Sequence, residues 1–401
     1  KYRFWLMTML LIVALAAVAC GGSTEEPAAP AEEEVAAEPA AEEETAEEPA
    51  EEEMDDESAA EEMAGSDRCG DTSQLSDTLN FYNWADYMDE EILAQFEEEC
   101  GVTVVQDIYS SNEDLIAKIQ AGNSGYDLIV PSDYAVEILI DRGLLKELDF
   151  DNIPNFSNID PALTGLYYDP DNQYSIPYQW GTTGLAYNTA YFDTPPDSWA
   201  YMFDPELVCE NSGFVSMLDD ERESVGAALS YLGYSYNDTD PEHHAEAQEL
   251  LAAQKECLAG YNSDNFNQTL AAEEVVLAHA WSGGTALARD ENENVAFVIP
   301  KEGGAIWMDN MAIPADAPNA YTAEVFVNYL LDAEIGAQLS NYIYYFSPNL
   351  ASQPLLDEYY FDLLTSGGMI VDDEVQQRLE WIERSEETII FSDTWTAVKA
   401  R

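Results

Sequence analysis

Aromatic and carboxylate side chains recur where the strand patterns of this sequence end. They are Trp84, Asp86, Tyr87, Tyr134, Asp219, Asp220, Glu223, Trp281, Trp307 and Asp309, with the hydroxyl of Ser132 beside them. The set contains no basic residue, and Arg222, between Asp220 and Glu223 in the sequence, is the one basic residue beside it. Carboxylates pair with ammonium groups, and indole or phenol faces cover methylene groups and attract cations by roughly 0.5–2 kcal/mol each. The set therefore predicts a cage for a slender organic cation that carries several charges.

Alternating strand and helix patterns would bring these side chains together. Strand patterns at 78–84, 102–109 and 127–130 are each followed by an amphipathic helix pattern, and a second such region begins near Phe214. This alternation predicts an α/β fold with mainly parallel sheets flanked by helices. In open α/β sheets, ligands bind beyond the carboxyl ends of the strands, which is where the polar and aromatic residues lie.

Two long extended segments, 175–188 and 304–314, lie between the two α/β regions. Extended segments that join two α/β regions are natural hinge strands, so we expect two lobes with a cleft between them. The expected limits are 75–182 with about 310–345 for the first lobe, and 183–305 with about 350–401 for the second.

The beginning of the sequence has the pattern of an export signal. Lys1 and Arg3 precede an apolar run, and Cys20 follows small residues in a segment that resembles a bacterial lipoprotein box. We expect residues 1–20 to be a signal peptide and Cys20 to be lipidated, with a plain signal peptide or an uncleaved helical anchor as alternatives. Each alternative places the protein outside the cytoplasm, in the periplasm or at the cell surface.

An acidic, low-complexity segment follows the signal. Residues 23–66 contain 19 Asp and Glu, no Lys or Arg and no aromatic residue. Such a segment buries too little apolar area to offset its ordering entropy, so we expect 21–74 to be a disordered, extended linker. The whole chain has 80 Asp and Glu against 14 Lys and Arg, a net charge of −66. A nucleic-acid-binding function is excluded because phosphate contacts need a basic face.

Four cysteines follow Cys20: Cys69, Cys100, Cys209 and Cys257. An even number in an exported chain predicts two disulfides, for which three connectivities exist, and free buried thiols are the alternative. The pairs Cys69–Cys100 and Cys209–Cys257 are favoured because each lies within one region of the sequence. The absence of a C-x-x-C spacing argues against zinc and redox motifs.

Short segments of the chain resemble, in order, the bacterial spermidine/putrescine-binding proteins that deliver polyamines to ABC transporters. The matching segments are Asn80–Tyr87, Ser111–Glu113 with Ala117 and Lys118, Tyr126–Ser132, Ser175–Thr182, Asn262–Asn265, Pro300–Gly304 with Trp307–Asp309, and Ser347–Leu350. They run from about residue 76 to residue 350 and so cover most of the predicted folded part. The resemblance implies a two-lobed periplasmic-binding-protein fold of type II and a polyamine ligand.

The resemblance also implies a set of ligand-binding residues, in which aromatic rings stack on the alkyl chain and acidic groups hold the ammonium groups. The implied set is Trp84, Asp86, Tyr87, Ser132, Tyr134, Asp220, Glu223, Trp281, Trp307, Asp309 and Tyr345. Two positions depart from the family pattern. Ala85 stands where relatives often have a hydroxyl residue, and Ile382 and Glu383 follow Trp381 where spermidine binders offer Gln. The choice between spermidine and putrescine therefore stays open.

Structural roles compete with these ligand assignments. Asp220 and Glu223 also fit a capping box at the start of a helix, a role compatible with ligand contact. Trp84 and Trp281 fit a hydrophobic core, and Ser132 fits a strand end.

Enzymatic function is not expected. The chain has three His and none of the nucleophile, metalloprotease, phosphate-loop or dinucleotide motifs. The main alternatives are a two-lobed lipoprotein that binds sugars or amino acids, and a receptor for calcium or iron. We expect no cofactor and no metal, a monomer held at the membrane by its lipid, and an ABC transporter permease as partner.

Overall fold

The computed structural model describes residues 68–384 and 387–401, all of them within one unit, Asp55–Arg401. The predicted signal peptide, Cys20 and the acidic linker up to residue 67 lie outside the described residues.

Ten strands of the described chain form one sheet in the order β2-β1-β3-β9-β4-β7-β5-β6, with β10 beside β9 and β8 beside β4. The strands are β1 Thr78–Trp84, β2 Thr103–Tyr109, β3 Leu128–Ile129, β4 Ser175–Asn188, β5 Val215–Met217, β6 Gly260–Tyr261, β7 Leu277–Trp281, β8 Val295–Val298, β9 Gly304–Ala312 and β10 Leu379–Trp381.

The α-helices cover both sides of this sheet. They are α1 Glu90–Cys100, α2 Asn112–Gln120, α3 Asp133–Asp141, α4 Ala200–Phe203, α5 Pro205–Val208, α6 Glu221–Tyr231, α7 Pro241–Gln254, α8 Phe266–Ala271, α9 Ser282–Glu291, α10 Ala320–Leu330, α11 Ala333–Ile343, α12 Glu358–Gly367, α13 Asp373–Gln376 and α14 Ile389–Lys399. Within residues 68–384 and 387–401, no helix is both long and apolar enough to span a membrane.

The long strand β4 runs through both halves of the sheet and makes the fold two-lobed. Its first part, up to Thr182, pairs antiparallel with β9, which continues into the parallel strands β3, β1 and β2 of the first lobe. From Thr183 onward β4 pairs antiparallel with β7, beside which β5 and β6 run parallel in the second lobe. The two-lobed α/β architecture agrees with the sequence prediction, whereas the residue limits of the lobes stay a prediction.

Local sequence explains how the helices near the cleft begin. Ser111 and Asp220 each accept a backbone N–H from the first turn of the helix that follows, at α2 and α6 respectively. Side-chain oxygens in this position satisfy the free N–H groups of a helix start. Because α2 and α6 each follow a strand, their first turns lie near the carboxyl ends of β2 and β5.

Two disulfides tie peripheral segments to the lobes. Cys69, before β1, is bonded to Cys100 at the end of α1, and Cys209 is bonded to Cys257 after α7. This is the pairing that the sequence analysis favours among the three connectivities.

Candidate functional site: an acidic and aromatic cleft

A cavity with about 640 Å³ of empty space, part of it open to solvent, lies between the lobes at the carboxyl ends of the strands. Every predicted ligand residue except Asp86 lines it: Trp84, Tyr87, Ser132, Tyr134, Asp220, Glu223, Trp281, Trp307, Asp309 and Tyr345. The other lining residues are Ala85, Tyr109, Ser110, Asn112, Asp133, Ser263, Asp264 and Ile382. None of these described lining residues carries a positive charge.

Asp309 lies on β9, where the strand crosses between the lobes, and is 4% exposed. Ser132 faces it from the first lobe, and its hydroxyl donates to Asp309 Oδ1 at 2.6 Å. Burial raises the pKa of Asp309 to about 7, against the opposing effect of the Ser132 hydrogen bond. A carboxyl of this kind gains from a nearby cation, because the cation offsets the cost of removing the charge from water.

Glu223 lies in the first turn of α6 and is the most fully hydrogen-bonded carboxylate of the cleft. Its Oε1 accepts from the Thr183 hydroxyl at 2.7 Å and from Trp281 Nε1 at 3.0 Å. Its Oε2 accepts from the Tyr236 hydroxyl at 3.3 Å. Burial, and then the charge of Asp220, raise the pKa of Glu223 to about 7.

Asp220 caps α6 and lines the cavity at the same time. Its Oδ1 accepts the backbone N–H groups of Arg222 at 2.9 Å and Glu223 at 3.0 Å. Burial raises its pKa, while these two hydrogen bonds lower it. One carboxylate oxygen thus serves the helix, as the capping alternative predicts, and Oδ2 has no hydrogen-bond partner among the described residues.

Trp84 and Trp281 approach one another from opposite lobes. Their ring centroids lie 5.9 Å apart with the rings nearly perpendicular, and both side chains are only half-buried. Trp84 Nε1 donates to the carbonyl of Val130 at 3.0 Å, which fixes its orientation. Partly exposed indole faces at a cleft are available to a ligand, unlike those of a core tryptophan.

Trp307, Tyr345 and Tyr87 form the buried aromatic wall of the cavity. The ring centroids of Trp307 and Tyr345 lie 5.5 Å apart, and those of Tyr345 and Tyr87 lie 4.9 Å apart in an edge-to-face arrangement. Trp307 Nε1 donates to the Thr183 hydroxyl at 3.1 Å, and the Tyr345 hydroxyl accepts from Gly284 N at 3.0 Å. These bonds hold the rings in place and leave the carboxylates of the cleft to other partners.

Tyr134 lines the cavity from α3, and its hydroxyl donates to Glu113 Oε1 at 3.0 Å. Burial, and next the charge of Asp220 on the second lobe, raise the pKa of Glu113 to about 8. Acidic groups of the two lobes therefore face each other at this end of the cleft.

Asp86 is the predicted ligand residue that the structure places elsewhere. It is exposed, has a left-handed backbone with φ 50°, and is absent from the cavity lining of the described chain. Its Oδ2 accepts from Asn267 Nδ2 at 3.1 Å and from Gln268 Nε2 at 2.7 Å, both on α8 of the second lobe. Asp86 therefore joins the lobes at the rim of the cleft.

Asp133 is a lining residue that the sequence analysis does not include. It is fully buried, accepts Tyr134 N at 2.7 Å and Met308 N at 3.3 Å, and so ties the start of α3 to β9. Burial raises its pKa well above the usual range. Asp133 directly follows Ser132 at a strand end. The rule that ligands bind beyond the carboxyl ends of strands therefore also predicts a place for Asp133 in the cleft.

Comparisons with known proteins agree with this architecture. A sequence profile of bacterial extracellular solute-binding proteins matches residues 91–360. The putrescine/cadaverine-binding protein of Pseudomonas aeruginosa is 36% identical over 337 residues, which cover 81% of this chain and 94% of that protein.

Solved structures of bacterial binding proteins are also similar to this chain. The spermidine/putrescine ABC transporter substrate-binding protein PotD from Streptococcus pneumoniae is 32% identical with a TM-score of 0.64, covering 81% of this chain and 99% of that chain. The Tp0655 (TpPotD) lipoprotein of Treponema pallidum is 29% identical with a TM-score of 0.68, covering 81% of this chain and 100% of that chain. The chain therefore belongs to the bacterial extracellular solute-binding protein family.

Proposed function

We propose that this protein captures polyamines, such as putrescine or spermidine, outside the cytoplasm and delivers them to an ABC importer. The observation that carries the proposal is the set of buried carboxylates Asp220, Glu223 and Asp309 in a cavity walled by tryptophan and tyrosine. Buried carboxylates without cationic partners are costly, and a ligand with several ammonium groups offsets that cost.

The aromatic wall supports a ligand with an alkyl chain between its charges. Indole and phenol faces cover methylene groups and attract the adjacent ammonium groups. The names of the relatives, which refer to putrescine, cadaverine and spermidine, support the same ligand class.

Ligand capture would close the lobes, because each contributes to the cage. Ser132 and Tyr134 come from the first lobe, Asp220 and Glu223 from the second, and Asp309 from the crossing strand β9. A ligand that contacts both lobes binds the closed form more tightly than the open form and shifts the population toward it. The closed form would then dock on the permease.

We also propose that the protein is a monomer held to the membrane through a lipid on Cys20. The lipoprotein-box pattern before Cys20 supports this anchor, and a related lipoprotein exists in Treponema pallidum. The acidic segment after Cys20 would hold the binding lobes away from the membrane surface.

A thermal-shift assay tests the ligand class. We expect putrescine or spermidine at about 1 mM to raise the melting temperature, because a ligand that binds only the folded state stabilises it. Neutral sugars and zwitterionic amino acids at the same concentration and ionic strength serve as controls. Absence of a shift with both polyamines would contradict the proposal, and a shift with a sugar or amino acid alone would replace it with the alternative receptor class.

A further inference from the structure

Arg222 is a buried cation immediately behind the acidic cleft. It lies on α6 between Asp220 and Glu223 and is 1% exposed. It is absent from the described cavity lining, so its role differs from that of its two neighbours.

The guanidinium of Arg222 lies over two aromatic rings. It lies 5.1 Å from the ring centroid of Tyr134 and 4.3 Å from that of Phe391. Tyr134 belongs to α3 of the first lobe, whereas Phe391 belongs to α14, which packs on α6 and α7 of the second. The cation thus connects aromatic rings of both lobes, an arrangement that the broad, planar guanidinium of arginine makes more often than the compact ammonium of lysine.

Arg222 also binds the segment Trp381–Arg384, which we name the closing segment. Its Nη2 donates to the carbonyl of Glu383 at 2.9 Å and to Asn237 Oδ1 at 3.1 Å. The closing segment reaches the first lobe as well. Tyr167 donates to the carbonyl of Ile382 at 3.0 Å, and Arg384 forms an ion pair with Asp141 of α3.

No salt bridge joins Arg222 to a carboxylate within the part of the chain that the structure describes. Its buried Nε and Nη1 have no hydrogen-bond partner there either. Two aromatic rings, Asn237 and the closing segment therefore hold the guanidinium. Burial raises the pKa of Asp220, and the positive charge of Arg222, acting without an ion pair, lowers it.

We propose that Arg222 is a positioning residue that stabilises the closed arrangement of the lobes without touching the ligand. It does so directly through Tyr134 and indirectly through the closing segment. The ligand class used in the binding arm of the test rests on the proposed polyamine function.

Removal of Arg222 should change polyamine affinity in opposite directions, depending on whether the residue acts through its charge alone or by stabilising closure. If Arg222 acted only through its charge, its removal would strengthen the binding of a polycation at a pH where the carboxyl groups of the cleft are ionised, because a like charge would be lost. If Arg222 stabilises closure, its removal lowers the closed population, and the apparent affinity falls by the same factor.

The test compares Arg222→Met and Arg222→Lys with Arg142→Met, which removes the same charge from an exposed site at the end of α3. Putrescine and spermidine affinities are measured by calorimetry at a temperature where circular dichroism shows every variant folded. We expect Arg222→Met to bind about tenfold more weakly than the wild type, and Arg142→Met to bind within about twofold of it. Equal or tighter binding by Arg222→Met would overturn the proposal.

The lysine variant and a scattering measurement keep the test decisive. If Arg222→Met does not fold, Arg222→Lys decides: it keeps the charge but lacks the planar group, so weaker binding supports the proposal and wild-type affinity overturns it.

Small-angle scattering of the ligand-free proteins separates this inference from the polyamine function. If the wild type binds neither polyamine, the proposed function fails. A larger radius of gyration in Arg222→Met than in the wild type and Arg142→Met would still support the role in closure, and an unchanged radius would overturn it.

Discussion

At the scale of single residues, the cleft contains carboxyl groups that are costly to ionise while it is empty. Burial raises the pKa values of Asp309 and Glu223 to about 7. Near neutral pH, each group is therefore partly protonated in the absence of a cation. A bound ammonium favours the carboxylate form, so we expect binding to release protons.

The first prediction concerns the pH dependence of polyamine binding. The two primary ammonium groups of putrescine, like that of Lys with a pKa of about 10, stay protonated between pH 6 and 8, so for this ligand only the carboxyl groups of the cleft titrate. A carboxyl with a pKa of about 7 is mostly neutral at pH 6 and mostly charged at pH 8, and affinity should rise with pH by about tenfold for each such group. Calorimetry at pH 6, 7 and 8 and constant ionic strength measures this. A flat profile, or affinity that falls with pH, would contradict it.

The second prediction concerns Asp309→Asn. The change should weaken polyamine binding by roughly 1.5–3 kcal/mol through loss of a charge-assisted hydrogen bond. Because the folded-state pKa of Asp309 lies above its unfolded value, the folded state binds more protons between about pH 4 and 7, and stability falls as pH rises through that window. The Asn variant should lack this loss and melt higher than the wild type at pH 8 without ligand.

Asp171→Asn is the control for that experiment, since it makes the same change of charge at an exposed position. Its affinity and melting temperature should match those of the wild type. Wild-type affinity in Asp309→Asn itself would remove Asp309 from the site.

At the scale of elements, close approach of backbone and ring positions the aromatic wall. Gly283, at the start of α9, lies under Tyr345, and a Cβ built there would come within 2.4 Å of the ring. A Cβ built at Gly181, on β4, would come within 2.8 Å of the Trp307 ring. Small residues at these two positions let Tyr345 and Trp307 turn toward the cavity.

The third prediction is that Gly283→Ala displaces Tyr345 and weakens binding more than it lowers stability. Gly260→Ala on β6 is the matched control, because a Cβ there meets nothing within 4 Å. Calorimetry and thermal melts of both variants measure the two effects. Equal affinities for the two variants would show that the position of Tyr345 does not matter for the ligand.

The fourth prediction concerns the two disulfides, which close loops of 31 and 48 residues. In the chain-entropy model each contributes roughly 3–4 kcal/mol to the free energy of unfolding. Paired Cys→Ser substitutions at 69 and 100, or at 209 and 257, should each lower the melting temperature. A reductant should lower that of the wild type as well, and a wild-type melting temperature that ignores the reductant would contradict the prediction.

Much of the element order follows from sequence periodicity. The strand pattern at 78–84 and the extended segment 175–188 coincide with β1 and β4 of the structure. The antiparallel pairing of β4 with β9 and β7 does not follow from local patterns, because the partners are far apart in the chain. The rim position of Asp86 does not follow from the sequence for a related reason: its left-handed turn and its partners Asn267 and Gln268 depend on how the lobes meet.

At the scale of the whole molecule, a net charge of −66 favours the approach of cations but gives no selectivity. At physiological salt the field of exposed charges is screened beyond about 8–10 Å. Selectivity must therefore come from the cleft, where buried carboxylates and aromatic rings of two lobes meet. Rim contacts such as Asp86 with Gln268, and the cation–π contact of Arg222 with Tyr134, join the lobes beside it.

Isothermal titration of the wild-type protein with putrescine and with spermidine tests the central claim most directly. We predict saturable binding of at least one of them with one site per chain, at pH 8 and physiological salt. Heats no larger than dilution for both polyamines at concentrations up to about 1 mM would contradict it, since a dissociation constant above that value corresponds to less than about 4 kcal/mol of binding free energy.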